Sequence, residues 1–122
     1  MNTATNHITP TEAELELRKR RKEIIKELRD VIISTAADQA PLRQSTKEKS
    51  REGKHDEAGS CMSQRWNNRS NITAALVLYA EIRGKKPSHK MDWLSEMLHG
   101  KLIQKFGAAT IEELKQYSAR PS

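Results

Sequence analysis

Four side chains able to bind a divalent metal recur along one stretch of the chain: His89, Asp92, Glu96 and His99. Their spacing of three, four and three residues would place all of them along one face of a helix. A metal centre built from such a row needs a second row and further carboxylates from other helices, and the chain has neither. The solvent face of an amphipathic helix explains the pattern equally well. We therefore predict no metal site and no cofactor.

Nucleophilic catalysis is the second chemistry to consider. Cys61 is the single cysteine, and it lies in a polar stretch near His55 without an apolar framework to fix their geometry. One cysteine also excludes an internal disulfide. The five glycines are scattered, so no glycine-rich loop can cradle a phosphate. We predict that the protein is not an enzyme.

Basic residues are the one type that clusters. The net charge is +6, and its excess comes from residues 18–37, 38–71 and 72–90. This distribution favours a polyanionic partner, although a basic surface also promotes solubility alone. The twelve candidate binding residues are Arg18, Lys19, Arg20, Arg21, Lys22, Arg65, Arg69, Arg83, Lys85, Lys86, His89 and Lys90.

Three functions agree with these residues. The leading one is a small nucleic-acid-associated accessory or regulatory protein, of the basic kind that phages and mobile elements encode, contacting DNA or RNA phosphates. The second is an inhibitor or adaptor that docks the same basic surface on an acidic partner protein. The third is a structural homo-oligomer, such as a homodimer, formed through the N-terminal helix. Base-specific reading by a helix-turn-helix is less favoured, because the second helix offers mainly apolar side chains to a groove.

The predicted fold class is all-α: a small helical bundle with a long N-terminal helix and a flexible charged loop. Residues 1–8 are expected to form a disordered tail, 9–37 a long basic amphipathic helix, 38–63 a flexible charged linker and 64–118 a compact helical unit. Thr9 and Pro10 give the first helix its predicted start, and Pro41 its predicted end.

The most apolar segment, residues 72–82, predicts a helix at the centre of the bundle that ends at Gly84. Its start is expected near residue 63 or at a cap among residues 67–70. The next helix is expected from Lys90 to about Phe106, capped by Ser88 or His89. Its apolar side is expected to include Trp93, Leu94, Met97, Leu98, Leu102, Ile103 and Phe106.

The last helix and Trp66 complete the predicted fold. A capping box at Thr110 predicts a last short helix to about Ser118. Trp66 has two interpretations: an anchor in the core, or an exposed stacking surface beside Arg65 and Arg69.

Composition sets limits on the size of the core. The chain has 122 residues, a hydrophobic content of 35% and a charged content of 31%, so only part of it is expected to pack into a core. No apolar run reaches the roughly 18 residues of a membrane span. The polar N-terminus lacks the pattern of a signal peptide, and we predict a cytoplasmic protein.

Overall fold

The computed structural model describes residues 11–119, which form four helices and contain no strand. The helices are α1 (Glu12–Arg51), α2 (His55–Ile82), α3 (Trp93–Phe106) and α4 (Ala108–Ala119). The all-α class and the long N-terminal helix are thereby confirmed, while the predicted tail, residues 1–8, lies outside the described residues. Within the described part of the chain, no helix combines the length and apolar character needed to cross a bilayer.

Helix α1 is capped by Thr11. The Thr11 backbone is extended, and its hydroxyl oxygen accepts a hydrogen bond from the Glu14 backbone N–H at 3.1 Å. Thr9 and Pro10, the predicted start of the helix, lie outside the described residues, and the cap that the structure shows is Thr11. The same threonine-to-glutamate spacing occurs two residues later in the sequence, and that second capping signal is the one used.

The prediction of a flexible linker at residues 38–63 is wrong, because most of this segment is helical. Helix α1 continues through Pro41 to Arg51, and α2 begins at His55, so the connection is only three residues long. Gly53 makes this turn possible with a φ of 76°, a left-handed conformation that favours glycine. Its N–H donates to the Ser50 carbonyl at 3.1 Å, and the Lys54 N–H donates to the Lys49 carbonyl at 2.8 Å. This pair of bonds ends α1 in a Schellman motif.

Polar contacts join α1 and α2 across this hairpin. The Gln39 side-chain amide donates to the Arg65 carbonyl at 3.2 Å and accepts from Asn68 Nδ2 at 3.4 Å. Ala58, in the first turn of α2, is a small residue and is also buried. Pro41 has no N–H to donate to the helix. Because it is exposed, water can replace the missing hydrogen bond. Hydrophobic periodicity could not reveal this pairing, because it depends on polar and small residues.

The core lies at the other end of the hairpin, where α2 packs against all three other helices. Its buried members are Ile24 and Leu28 of α1, Ala75, Leu78 and Ile82 of α2, Phe106 of α3, and Ile111 and Leu114 of α4. The central position predicted for the apolar segment is confirmed. Helix α1, through which self-association was predicted, packs its apolar side against the other helices of the same chain.

Local signals set the ends of the later helices. Gly84 follows α2 as predicted, with a φ of 72°, and a side chain there would approach the Ser118 carbonyl oxygen to 2.9 Å. The cap of α3 is Asp92, whose Oδ1 accepts from the Ser95 N–H at 2.8 Å, and not Ser88 or His89. Helix α4 begins at Ala108, directly after Gly107, so the capping box predicted at Thr110 lies inside the helix and is wrong.

Candidate functional site

Two of the basic residues at the start of α1 contact α4. Arg18 Nε donates a hydrogen bond to the Tyr117 hydroxyl oxygen at 2.6 Å, and Arg21 Nη1 donates to Ser118 Oγ at 3.3 Å. Both guanidinium groups also lie over the Tyr117 ring, at 6.0 and 5.5 Å from its centroid. Cation–π contacts of this kind are stabilising. These predicted phosphate contacts therefore help to hold α4 against α1.

The other three basic residues of that stretch have different surroundings. Arg20 Nη1 lies 3.3 Å from Glu23 Oε2, one turn along the same helix. Lys19 and Lys22 are exposed. The cluster predicted at residues 18–22 is thus divided among a helix–helix contact, a local ion pair and solvent.

A first cleft between α1 and α2 brings basic residues to Trp66. Arg65, Arg69 and Met62 line it from α2, and Gln39 and Arg43 line it from α1, enclosing about 340 Å³. The hydrogen bond from Gln39 to the Arg65 carbonyl fixes the two helices at this point. The lining side chains of α2 lie three or four residues apart, which places them on one helical face.

A second cleft, of about 430 Å³, continues from the first because Trp66 and Arg69 line both. Its opposite wall is the segment before α3, which contributes His89 and Lys90. Asp92 is also in this wall, but its carboxylate accepts from the backbone N–H and, at 2.7 Å, from the hydroxyl of Ser95. These two hydrogen bonds lower the pKa of Asp92. The Asp92 carboxylate therefore caps the N-terminus of α3.

A third cleft, of about 250 Å³, adjoins the second because Ser88 and His89 line both. Arg83, Lys85 and Lys86 contribute its basic side chains. The three clefts thus form one continuous surface that contains seven of the twelve predicted residues. We call this surface the basic track, and it comprises Arg43, Arg65, Arg69, Arg83, Lys85, Lys86, His89 and Lys90.

In the part of the chain that the structure describes, no ion pair neutralises the basic track, although Asp92 lies in the wall of its second cleft. Within residues 11–119, the ion pairs found involve none of its eight members. By contrast, Lys49, Lys54, Lys105 and Lys115 each lie within 4.0 Å of a glutamate oxygen. Apart from Arg83, which donates to the Tyr79 hydroxyl oxygen, the cations of the track are therefore available to a partner.

Two arginines converge on Tyr79 beside the third cleft. Arg29 Nη2 and Arg83 Nη1 donate to its hydroxyl oxygen at 3.3 and 3.2 Å, and both guanidinium groups lie within 6 Å of the ring centroid. The hydrogen bond from Arg29, together with the charges of Arg29 and Arg83, lowers the pKa of Tyr79. Like charges brought together around a neutral hydroxyl increase the positive potential at this end of the track.

Both tryptophans of the chain are exposed, Trp66 at 54% and Trp93 at 70%. They line one further cleft, of about 370 Å³, together with Met62 and Leu94. The placement of Trp93 and Met97 on the packed side of α3 is thereby corrected, because Met97 is also exposed. For Trp66, exposure excludes the interpretation as a core anchor, and α2 contributes Ala75, Leu78 and Ile82 to the core instead. The stacking function of the ring stays a prediction.

Sequence reasoning misses three of these residues. Arg43 falls within the predicted linker, and Arg29 enters only as part of the charge of the first helix. Apolar character alone would place Trp93 in the core, although it directly follows the residue that caps α3. The signal that could have located Arg43 is its spacing of four from Gln39, which would put both on one face of a continuous helix.

The row His89, Asp92, Glu96 and His99 does not share one helix face. Asp92 caps α3, and His89 lies before the helix, where its Nδ1 is 3.3 Å from the Ser88 hydroxyl. His99 Nε2 lies 2.5 Å from a Glu81 oxygen on α2. Among the residues that the structure describes, no three His, Cys, Asp or Glu side chains are grouped as metal ligands.

Comparison of the chain with protein-family models, with curated proteins and with solved structures finds no match in any of the three. The function must therefore be inferred from the geometry and charge of the chain's own residues.

Proposed function

We propose that this protein is a nucleic-acid-associated accessory or regulatory protein that binds phosphates along the basic track. One observation carries the proposal. Basic residues from α1, from α2 and from the segment between α2 and α3 meet on one continuous surface, although they are far apart in sequence. A surface whose cations form no ion pair with the acids of residues 11–119 attracts a polyanion over a distance of about one Debye length. The cytoplasmic location predicted from the sequence agrees with such a partner.

Phosphate binding of this kind has a measurable signature. Each phosphate that a Lys or Arg neutralises releases condensed counterions, so affinity falls steeply as salt is added. Arginine adds a planar fork of donors that matches two phosphate oxygens. Contacts to phosphates alone carry no sequence information. We therefore expect the protein to bind DNA or RNA of mixed sequence, with an affinity that depends strongly on salt.

Charge reversal within the track tests the proposal. The triple variant Arg69→Glu, Lys86→Glu and Lys90→Glu changes three exposed residues drawn from all three clefts. We expect it to weaken binding to mixed-sequence oligonucleotides by about two orders of magnitude at low salt. The slope of log affinity against log salt should fall by about three, one for each cation that no longer neutralises a phosphate. Fluorescence anisotropy at several salt concentrations measures both quantities.

A matched control separates the effect of the basic track on binding from the effect of the overall net charge. Lys19→Glu, Lys22→Glu and Lys26→Glu makes the same change in net charge at three exposed positions of α1 outside the track. It should weaken binding by less than about tenfold, because only long-range attraction is removed. Absence of any binding by the unmodified protein at low salt would end the proposal. Equally weakened binding in the two triple variants would show that the track is not the contact surface.

The second candidate function, docking on an acidic partner protein, is favoured by the exposed Met62, Trp66 and Trp93. Aromatic and methionine side chains next to arginine are typical of the centres of protein interfaces. A pull-down with and without nuclease separates the two candidates. A single stoichiometric protein that stays bound after nuclease, and that the track triple variant fails to retain, would favour the second function.

A further inference from the structure

We propose that Trp66 and Trp93 form a stacking platform for unpaired bases, so that the polyanion on the basic track is single-stranded nucleic acid. The inference rests on the proposed function and goes further, because it names the form of the nucleic acid. Three observations support it: the exposure of the two rings, their common cleft, and the position of that cleft relative to the cations.

The exposure of the two tryptophans is unusual within this chain. It has only five aromatic residues, and the other three are engaged: Phe106 is in the core, while Tyr79 and Tyr117 are each flanked by two arginines. The core is filled by aliphatic residues and Phe106, so neither tryptophan is needed to complete it. The largest apolar side chains of the protein thus lie on its surface.

The two rings come from different helices but line one cleft. Trp66 lies in the first half of α2, and Trp93 is the first residue of α3. The polar residues of this cleft, Ser63 and Asn67, are uncharged. Flat aromatic faces around an uncharged cleft fit nucleobases, whose own faces are apolar and whose edges are polar.

The cations lie where a single strand would need them. Trp66 lines both the apolar cleft and the two basic clefts that contain Arg43, Arg69 and Lys90. A strand whose phosphates follow the track can therefore turn its bases toward the tryptophans. In a duplex the base faces are already stacked on one another, so the same phosphates could bind but the rings would lack a partner. Charge complementarity thus favours a nucleic acid as the occupant, and the two exposed rings favour a single strand over a duplex.

Three probes of the same length test the platform: a 16-nucleotide oligothymidylate, a DNA duplex, and a single strand of abasic sites. The abasic strand has the charge of the first probe but no bases. We expect the oligothymidylate to quench the intrinsic fluorescence, because both tryptophans of the chain belong to the proposed site. We also expect it to bind at least about tenfold more tightly than either of the other probes.

Trp66→Ala and Trp93→Ala should each weaken oligothymidylate binding by about 5- to 150-fold, the range for removal of one base–aromatic stack. Their affinity for the abasic strand and their salt dependence should stay as in the unmodified protein. Trp93→Phe, which keeps an aromatic face, should recover part of the affinity. Ile33→Ala is the matched control, because it removes an exposed apolar side chain from α1 outside these clefts. Circular dichroism establishes that each variant is folded.

The outcomes distinguish the platform from the proposed function. Equal affinity for the oligothymidylate and the abasic strand, with no effect of either alanine variant, would overturn the platform and leave phosphate binding intact. Tighter binding of the duplex would also overturn it, and would point to a protein that contacts paired nucleic acid. Failure of all three probes to bind at low salt would overturn the proposed function itself.

Discussion

Helix α2 has two faces with opposite roles. The inward face of its later turns contributes Ala75, Leu78 and Ile82, all fully buried. The outward face of its earlier turns contributes Met62, Trp66 and Arg69, which are exposed and line clefts. One continuous helix thus supplies both the centre of the core and the centre of the candidate site. The apolar character of a residue therefore did not decide its burial in this helix, whereas the position of neighbouring helices did.

Within α2, the largest effect is expected on the inward face. Leu78→Ala should lower the free energy of unfolding by about 2–5 kcal/mol, because truncating a fully buried leucine removes apolar packing and leaves a cavity. Urea unfolding followed by circular dichroism measures the change. The control is Leu76→Ala, the same substitution two residues away at a half-buried position beside the third cleft. Destabilisation at Leu76 as large as that at Leu78 would contradict the division of α2 into two faces.

The next effect is smaller and is an increase in the free energy of unfolding. It is expected in α1, across from the outward face of α2. Pro41 lies inside α1, where it removes one N–H from the helical hydrogen bonds. Pro41→Ala should therefore raise the free energy of unfolding by about 2 kcal/mol, after allowance for the greater freedom of the unfolded chain. Chemical denaturation measures this gain. Pro87→Ala, outside any helix, is the control and should show no comparable gain. A lower stability on replacing Pro41 would show that its ring stabilises the hairpin.

Pro41 also lies in the segment whose secondary structure was predicted wrongly from the sequence. The helix-breaking rule and the polar composition of residues 38–63 both indicated a linker, yet the segment is helical. Its helices are supported by the Gln39 contacts and by the burial of Ala58, and these are tertiary features that local propensity cannot contain. By contrast, the ends at Gly84 and Gly107 followed from local chemistry, since a positive φ at a helix end favours glycine.

The candidate site was predictable only in part, for a similar reason. Charge counting identified Arg65, Arg69 and the residues after α2, because local excess charge is a property of the sequence. It could not show that Arg18 and Arg21 contact Tyr117 and Ser118, since that requires α4 to lie beside α1. Nor could a helical pattern show that Trp93 lies outside the core. Which apolar side chain is covered depends on the packing of whole helices.

Tyr79 lies at the border between the two faces of α2, and its pKa reports on the arginine contacts there. Arg29→Ala removes the main hydrogen bond that lowers the pKa of Tyr79, so that pKa should rise toward its ordinary value near 10. Absorbance at 295 nm measures this in a Tyr117→Phe background, where Tyr79 is the one tyrosine left. Lys26→Ala, an exposed position one turn earlier, is the control and should leave the titration unchanged.

This pKa shift has a defined sign for stability. Because the pKa of Tyr79 is lower in the folded state, the folded protein loses the proton first as pH rises. The resulting stabilisation is fully present above the unfolded pKa near 10 and is lost as pH falls through the folded pKa, so it is absent at neutral pH. Arg29→Ala should therefore remove a gain in stability that appears only in alkaline solution. A titration unchanged by Arg29→Ala would show that this arginine does not reach the hydroxyl in solution.

The smallest effect on stability is expected at Trp93, next to the outward face. At 70% exposure, its truncation to alanine should change the free energy of unfolding by no more than about 0.5 kcal/mol, as is typical of surface positions. Phe106→Ala is the aromatic control on the same helix, and its 5% exposure predicts destabilisation by about 3–5 kcal/mol. Urea unfolding of the two variants gives the comparison directly. Similar destabilisation of both would mean that Trp93 packs against the bundle in solution, and the outward surface would then have only one of its two rings. Strong destabilisation at Phe106 with almost none at Trp93 would mean that folding leaves the Trp93 ring free for a partner.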